Sequence, residues 1–174
     1  MKKAIPILIL FSLTLSSCIN IKFEEPQPQG GKNLAIIPKE LQGSYLIDEH
    51  DTLFLFANKM ETRKKDTTET INLSENFILR KFQEYYIINQ KDKRDSTWAA
   101  FFIKKEKNKE ATFYIMSYDL KDSTIVDKLQ TITPTKIVEV DGNINLIVKP
   151  TTKELEKIIK KIGLKELKLP KLSQ

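Results

Sequence analysis

TWAAFFIKKEKNKEATFYIMSY, residues 97–118, holds two aromatic-rich runs joined by the charged segment EKNKE. Each run has the length and the aromatic and β-branched content of a strand, and the polar joint reads as a turn, so the stretch predicts an antiparallel pair. In TWAAFFIK both the odd and the even positions are apolar. A strand of that kind has no wet face, so a helix, another sheet or a partner must cover what the main core does not.

The same pattern of short apolar runs and charged turns extends in both directions. SYLI (44–47) and TLFLFA (52–57) flank Asp48, Glu49, His50 and Asp51, which reads as a hairpin with a four-residue polar turn. TTETINL, NFILRKF and YYIINQ follow as further strands. On the C-terminal side KIVEV and NINLIVK flank Asp141-Gly142, the strongest two-residue hairpin signal in the chain. Ile144, Leu146 and Val148 alternate with Asn143 and Asn145, predicting one buried and one wet face. Turns spaced by roughly 8 to 12 residues predict a mainly β (α+β) domain, an antiparallel meander forming a barrel or a sandwich of about 8 strands.

Two segments depart from the period of two. In DSTIVDKLQTI the spacing of Ile125, Val126, Leu129 and Ile132 predicts a short helix after caps at Asp122 and Ser123. TTKELEKIIKKIG predicts a helix near 151–162, with Thr151 and Glu154 as a capping box and Gly163 as its stop. The tail LKELKLPKLSQ predicts an edge strand or a continuation of that helix.

The N-terminus carries a different message. Lys2 and Lys3 precede the uncharged run Ala4 to Leu15, then Ser16, Ser17 and the single cysteine of the chain, Cys18. Basic, apolar and small segments in that order make a secretory signal peptide, and 12 apolar residues are too few to span a bilayer, which takes about 20. Leu15-Ser16-Ser17-Cys18 resembles the lipobox of bacterial lipoprotein precursors. That resemblance implies cleavage between Ser17 and Cys18 and a diacylglyceryl group on the Cys18 sulfur. It also implies acylation of the new amino group. Two or three acyl chains on one residue hold a protein stably on a membrane, where one chain binds marginally. Ile19 in place of an aspartate after the cysteine implies the outer membrane by the same resemblance, and Glu24-Glu25 leaves the cell surface open as the destination.

This assigns residues 1–17 to a signal peptide and residues 18–32 to the lipidated cysteine and a flexible tether, since Pro26, Pro28, Gly30 and Gly31 oppose regular structure. Residues 33–174 are expected to form one globular domain. Loss of Lys2 and Lys3 lowers the formal charge from +6 to +4, spread in mixed runs such as KDKRD, which gives no stripe for nucleic acid. With Cys18 lipidated, no thiol remains for a disulfide, a metal or a nucleophile.

Catalytic residue types are scarce. His50 is the only histidine and lies in the Asp48-Glu49-His50-Asp51 turn, where neighbouring side chains rarely converge on a metal. Neither a G-x-S-x-G elbow nor a phosphate-cradling glycine loop is present. No cofactor, metal or catalytic residue is therefore expected, and the chain reads as a non-enzyme with a binding or structural role towards an envelope protein. A barrel that keeps a cavity would instead carry a small apolar ligand, lined by Tyr85, Tyr86, Trp98, Phe101 and Phe113. Such a barrel would be lipocalin-like in shape alone, since Tyr45 in QGSYLI stands where that family has a tryptophan, and no binding residue is carried over. An enzyme acting on envelope glycan or lipid is a third reading.

Overall fold

The computed structural model describes residues 18–105, 111–119, 122, 124–140 and 143–172. The expected signal peptide with Leu15, Ser16 and Ser17, the expected EKNKE and Asp141-Gly142 turns and Ser123 lie outside the described residues.

Among the described residues thirteen strands form two sheets, and there are two α-helices, each linking strands of the larger sheet. The large sheet contains β1 (Cys18–Phe23), β6 (Phe77–Phe82), β7 (Tyr85–Lys91), β8 (Trp98–Lys105), β9 (Ala111–Ile115), β10 (Ser117–Asp119), β11 (Thr135–Val140), β12 (Asn143–Val148) and β13 (Lys165–Leu167). The small sheet is the meander β2 (Gly43–Leu46), β3 (Thr52–Leu55), β4 (Lys59–Arg63) and β5 (Thr68–Asn72). The helices are α1 (Thr124–Gln130) and α2 (Thr152–Lys161).

Two cores explain why β8 is apolar on both sides. Trp98, Ala100 and Phe102 face the helices, in a cluster with Leu129 of α1 and Leu155 and Ile158 of α2. Ile103 faces the small sheet, in a cluster with Tyr45, Leu53, Leu55 and Phe113. The order is thus helices, large sheet, small sheet. Neither sheet closes on itself, so the barrel alternative gives way to a sandwich-like, layered mainly β fold.

The N-terminal segment corrects the tether expectation. Cys18–Phe23 is an internal strand, paired in parallel with β12 from Ile19↔Ile144 to Phe23↔Val148 and flanked on its other side by β10 and β8. Ile19, Ile21 and Phe23 are buried with the helix-side core. The Pro-rich stretch that follows is held as well. Arg80 Nη1 donates to the carbonyls of Pro26 (2.5 Å) and Pro28 (2.8 Å), and Arg80 Nε donates to Asn33 Oδ1 at 2.8 Å. The buried amide of Asn89 accepts from Gln27 N (2.6 Å) and donates to Gln27 O (2.8 Å). Both cores are built from residues between 18 and 172.

ATFYIMSY, expected as one strand, is two. The chain leaves β8 at Met116, whose side chain is buried and whose carbonyl accepts from Ile21 N at 2.9 Å, and continues as β10 beside β1. The β11–β12 hairpin forms in the expected register, yet Asn145 on the expected wet face is buried, and β12 is an internal strand with β1 at its second edge. The tail resolves as an edge strand, β13 on β9.

Helix α2 has its expected start: Thr151 accepts from Glu154 N, and the Glu154 carboxylate accepts from Thr151 N at 2.8 Å. Gly163, at φ +91°, takes the chain out of the helix at the conformation glycine adopts without strain. Thr151→Ala is expected to lower stability by about 1 kcal/mol, read as a lower urea midpoint. An unchanged midpoint would deny the cap its part.

Candidate functional site

The site follows from how the layers meet. The small sheet turns Tyr45, Leu53 and Leu55 towards the large sheet, with Tyr45 fixed by its hydroxyl, which donates to Leu41 O at 2.7 Å, and by an edge-on contact with the Phe113 ring at 4.8 Å. Beyond these residues the sheets do not close completely. A cavity of about 460 Å³ remains, walled by Leu53 and Met60 from the small sheet, Ile88, Phe101 and Phe113 from the large one, and Leu167 of β13. That size lies within the range of small-ligand pockets, ~300–1,000 Å³, and the wall chemistry is apolar.

Of the five aromatics expected to line a pocket, Phe101 and Phe113 do. Tyr85 lies on the helix side, edge-on to Phe102 and Tyr114 at 6.1 Å each. Trp98 is buried in the helix-side core beside Phe23. Tyr86 packs on the small-sheet side away from the cavity, its hydroxyl donating to Glu40 Oε1 at 3.0 Å. Alternation along β7 and β8 decides this: neighbouring aromatics point to opposite faces, so no single pocket can collect a whole run.

Leu53, Met60, Ile88 and Leu167 also line the cavity, and none of them was expected to. Leu53 and Ile88 sit at inward positions of strands that the apolar runs reveal. Met60 lies in KMETR, whose charges hide a strand, and Leu167 is on β13 in the tail.

A charged cluster stands apart from the cavity lining, at the β7–β8 loop. Lys22 Nζ reaches Asp92 Oδ2 and Asp95 Oδ2, both at 2.9 Å, and Arg94 Nη2 reaches Asp92 Oδ2 at 3.0 Å. The bonds from Arg94 and Lys22 hold the Asp92 carboxyl well below the ordinary aspartate range. Burial acts to raise Asp95, but the bonds from Thr97 and Lys22 outweigh it and leave that carboxyl lowered. Burial likewise opposes the charge on Lys22, and its two carboxylate partners still leave the ammonium raised.

Depressed carboxylates stabilise the fold above their unfolded value and lose that contribution as pH falls through the folded one; a raised lysine loses its contribution as pH climbs. The stability difference between the native chain and Lys22→Met is therefore expected to be full between the ordinary values of 3.8 and 10.5 and to shrink outside them. Urea midpoints across pH check it, and a difference independent of pH would sink the assignment.

The Asp48-Glu49-His50-Asp51 turn is solvent-exposed apart from the half-buried Asp51. Asp48 Oδ1 accepts from the backbone N–H of His50 (2.8 Å) and Asp51 (2.9 Å), so this carboxylate organises the turn itself. Among the described residues no group of three or more His, Cys, Asp or Glu is gathered as a metal site. Among them, too, no helix is long and apolar enough to cross a membrane.

Compared with known proteins, the chain matches no family model, no curated protein and no solved structure. What the site can do rests on its own chemistry.

Proposed function

We propose that this chain is an exported lipoprotein, held in the outer membrane by lipid on Cys18, whose β domain is a non-enzymatic binder of a small apolar ligand. The observation that carries the binding reading is the apolar cavity of about 460 Å³ between the two sheets. Leaving such a space empty forfeits contacts that a packed core would gain, and a ligand recovers them. The anchor rests on the N-terminal sequence, with its basic, apolar and small segments in front of Cys18.

The two halves are tested separately. Palmitate labelling in cells is expected to depend on Cys18 and to vanish in Cys18→Ala; labelling that persists would remove the anchor. Native mass spectrometry of the chain from residue 18 onward, exported with Cys18→Ser, is expected to find a small molecule bound near one to one. Met60→Trp, which places a large ring in the cavity, is expected to abolish that occupancy while the fold is kept. A clean apo mass, with no uptake of an apolar fluorophore such as 1-N-phenylnaphthylamine, would overturn the binding reading.

A further inference from the structure

The residue proposed to carry the lipid is itself part of the fold. Cys18 opens β1, pairs with Asp119 of β10 and donates its N–H to Asn143 Oδ1 at 3.2 Å. The next residue, Ile19, is buried and pairs with Ile144 of β12. Among the described residues no free segment separates Cys18 from the core. A coil over residues 19–32 would let the domain stand as far as ~46 Å from its anchor. Residues 19–23 are strand instead, and the stretch after them is tied by Arg80 and Asn89, so none of that reach is available.

The ladders give the direction. β12 runs parallel to β1, whereas β10 runs antiparallel to it, so the start of β1, the start of β12 and the end of β10 share one end of the sheet. Cys18, Asn143 and Asp119 meet there. The opposite end holds Phe23, its partner Trp98 and the β7–β8 loop, ~17 Å away along the strand. Ile19, Ile21 and Phe23 point to the helix-side core, so alternation turns Cys18 to the other face. The small-sheet core takes no residue from β1, β10, β11 or β12, and Cys18 is half-buried on that face.

Resting on the reading of Cys18 as the lipid anchor, we infer that the domain lies directly against the headgroup layer of its membrane in one orientation. The end of the sheet that holds Cys18, Asp119 and Asn143 faces the bilayer, and the β7–β8 loop points away from it. Polar groups such as Asp119 and Asn143 suit hydrated headgroups and would resist entry into hydrocarbon. An acylated nitrogen keeps one N–H, as a peptide nitrogen does, so lipidation leaves the bond to Asn143 in place.

Cys18 is the single cysteine, so once it is lipidated an introduced cysteine is the only thiol. Two variants of the full chain, exported and purified in lipidated form, carry a bimane label on such a thiol. Glu139→Cys places it on the exposed residue of β11 that pairs with Ile144, on the rung of Ile19; Lys93→Cys places it on an exposed residue of the β7–β8 loop. Each is added to preformed phosphatidylcholine vesicles containing lipid with a nitroxide on its headgroup. The label at 139 is expected to be quenched roughly threefold more than the label at 93, because the two ends of the sheet differ by ~17 Å. A flexible Gly/Ser insert of about ten residues between Cys18 and Ile19 is expected to erase the difference while membrane attachment stays. Equal quenching of the two labels in lipidated protein without the insert overturns the fixed orientation and leaves the anchor standing. So does stronger quenching at 93, or a difference that survives the insert. A chain whose mass shows no lipid on Cys18 overturns anchor and orientation together.

Discussion

A chain that begins at Asn33 is expected not to fold. It lacks β1, and with it the parallel ladder to β12 and the contacts to β10 and β8 on the other side. It also lacks Ile19, Ile21 and Phe23, which are 1%, 4% and 0% exposed. Burial of three such side chains contributes roughly 5–9 kcal/mol. Domains of this size are stable by only about 5–15 kcal/mol, so the loss consumes most or all of that margin. The β11–β12 hairpin would be left with its inner edge unpaired. Circular dichroism and thermal melting of chains starting at residues 18 and 33 check this. The longer chain should melt cooperatively and the shorter one should not; equal melting curves would mean that β1 is dispensable.

Asn89→Ala should destabilise the fold well beyond what loss of the Thr151 cap does. The Asn89 side chain is buried, as is Gln27, and the two exchange a pair of hydrogen bonds between the side-chain amide and the backbone. Alanine would leave the Gln27 N–H and C=O buried without these partners, at a cost of about 1–3 kcal/mol for each unsatisfied group. A net loss of about 2–4 kcal/mol, equivalent to roughly 5–15 °C in Tm, is expected. Asn89→Asp should be no better at neutral pH, since it keeps the acceptor, removes the donor and buries a charge. A shift below about 0.5 kcal/mol in the denaturant midpoint, the range of ordinary surface substitutions, would show that water replaces the amide without cost.

Where the fold is legible in the sequence, the signals are local. The Thr151–Glu154 capping box, the helical spacing through Leu129, the Asp48 turn and the two-faced run around Phe102 each contain their own explanation within a few residues. Where it is not, distant residues decide. INIKF alternates Ile19, Ile21 and Phe23 on one face, but Pro26, Pro28, Gly30 and Gly31 just beyond suggest a loose segment. Only Asn89 and Arg80, far along the chain, show that the segment is tied down. KMETR is obscured because its charged residues serve one another on the outer face of the small sheet: Glu61 bonds Lys59 and Arg63, and Arg63 lies 4.1 Å from the centre of the Phe54 ring. The cavity is legible through Phe101 and Phe113, whose size marks them. Its other walls come from strands that meet only in the folded layers.

The position of β1 also has a consequence for the order of events in the making of the protein. This strand is the first described segment of the chain, yet it has no ladder partner nearby: Trp98 lies 75 positions after Phe23, and Ile144 lies 125 after Ile19. Synthesis and pairing therefore run in opposite orders. The large sheet cannot be completed until the final quarter of the chain has emerged, and ladders of such long range close slowly. Cys18 itself pairs with Asp119, 101 positions on, so its own ladder waits for the second half of the chain.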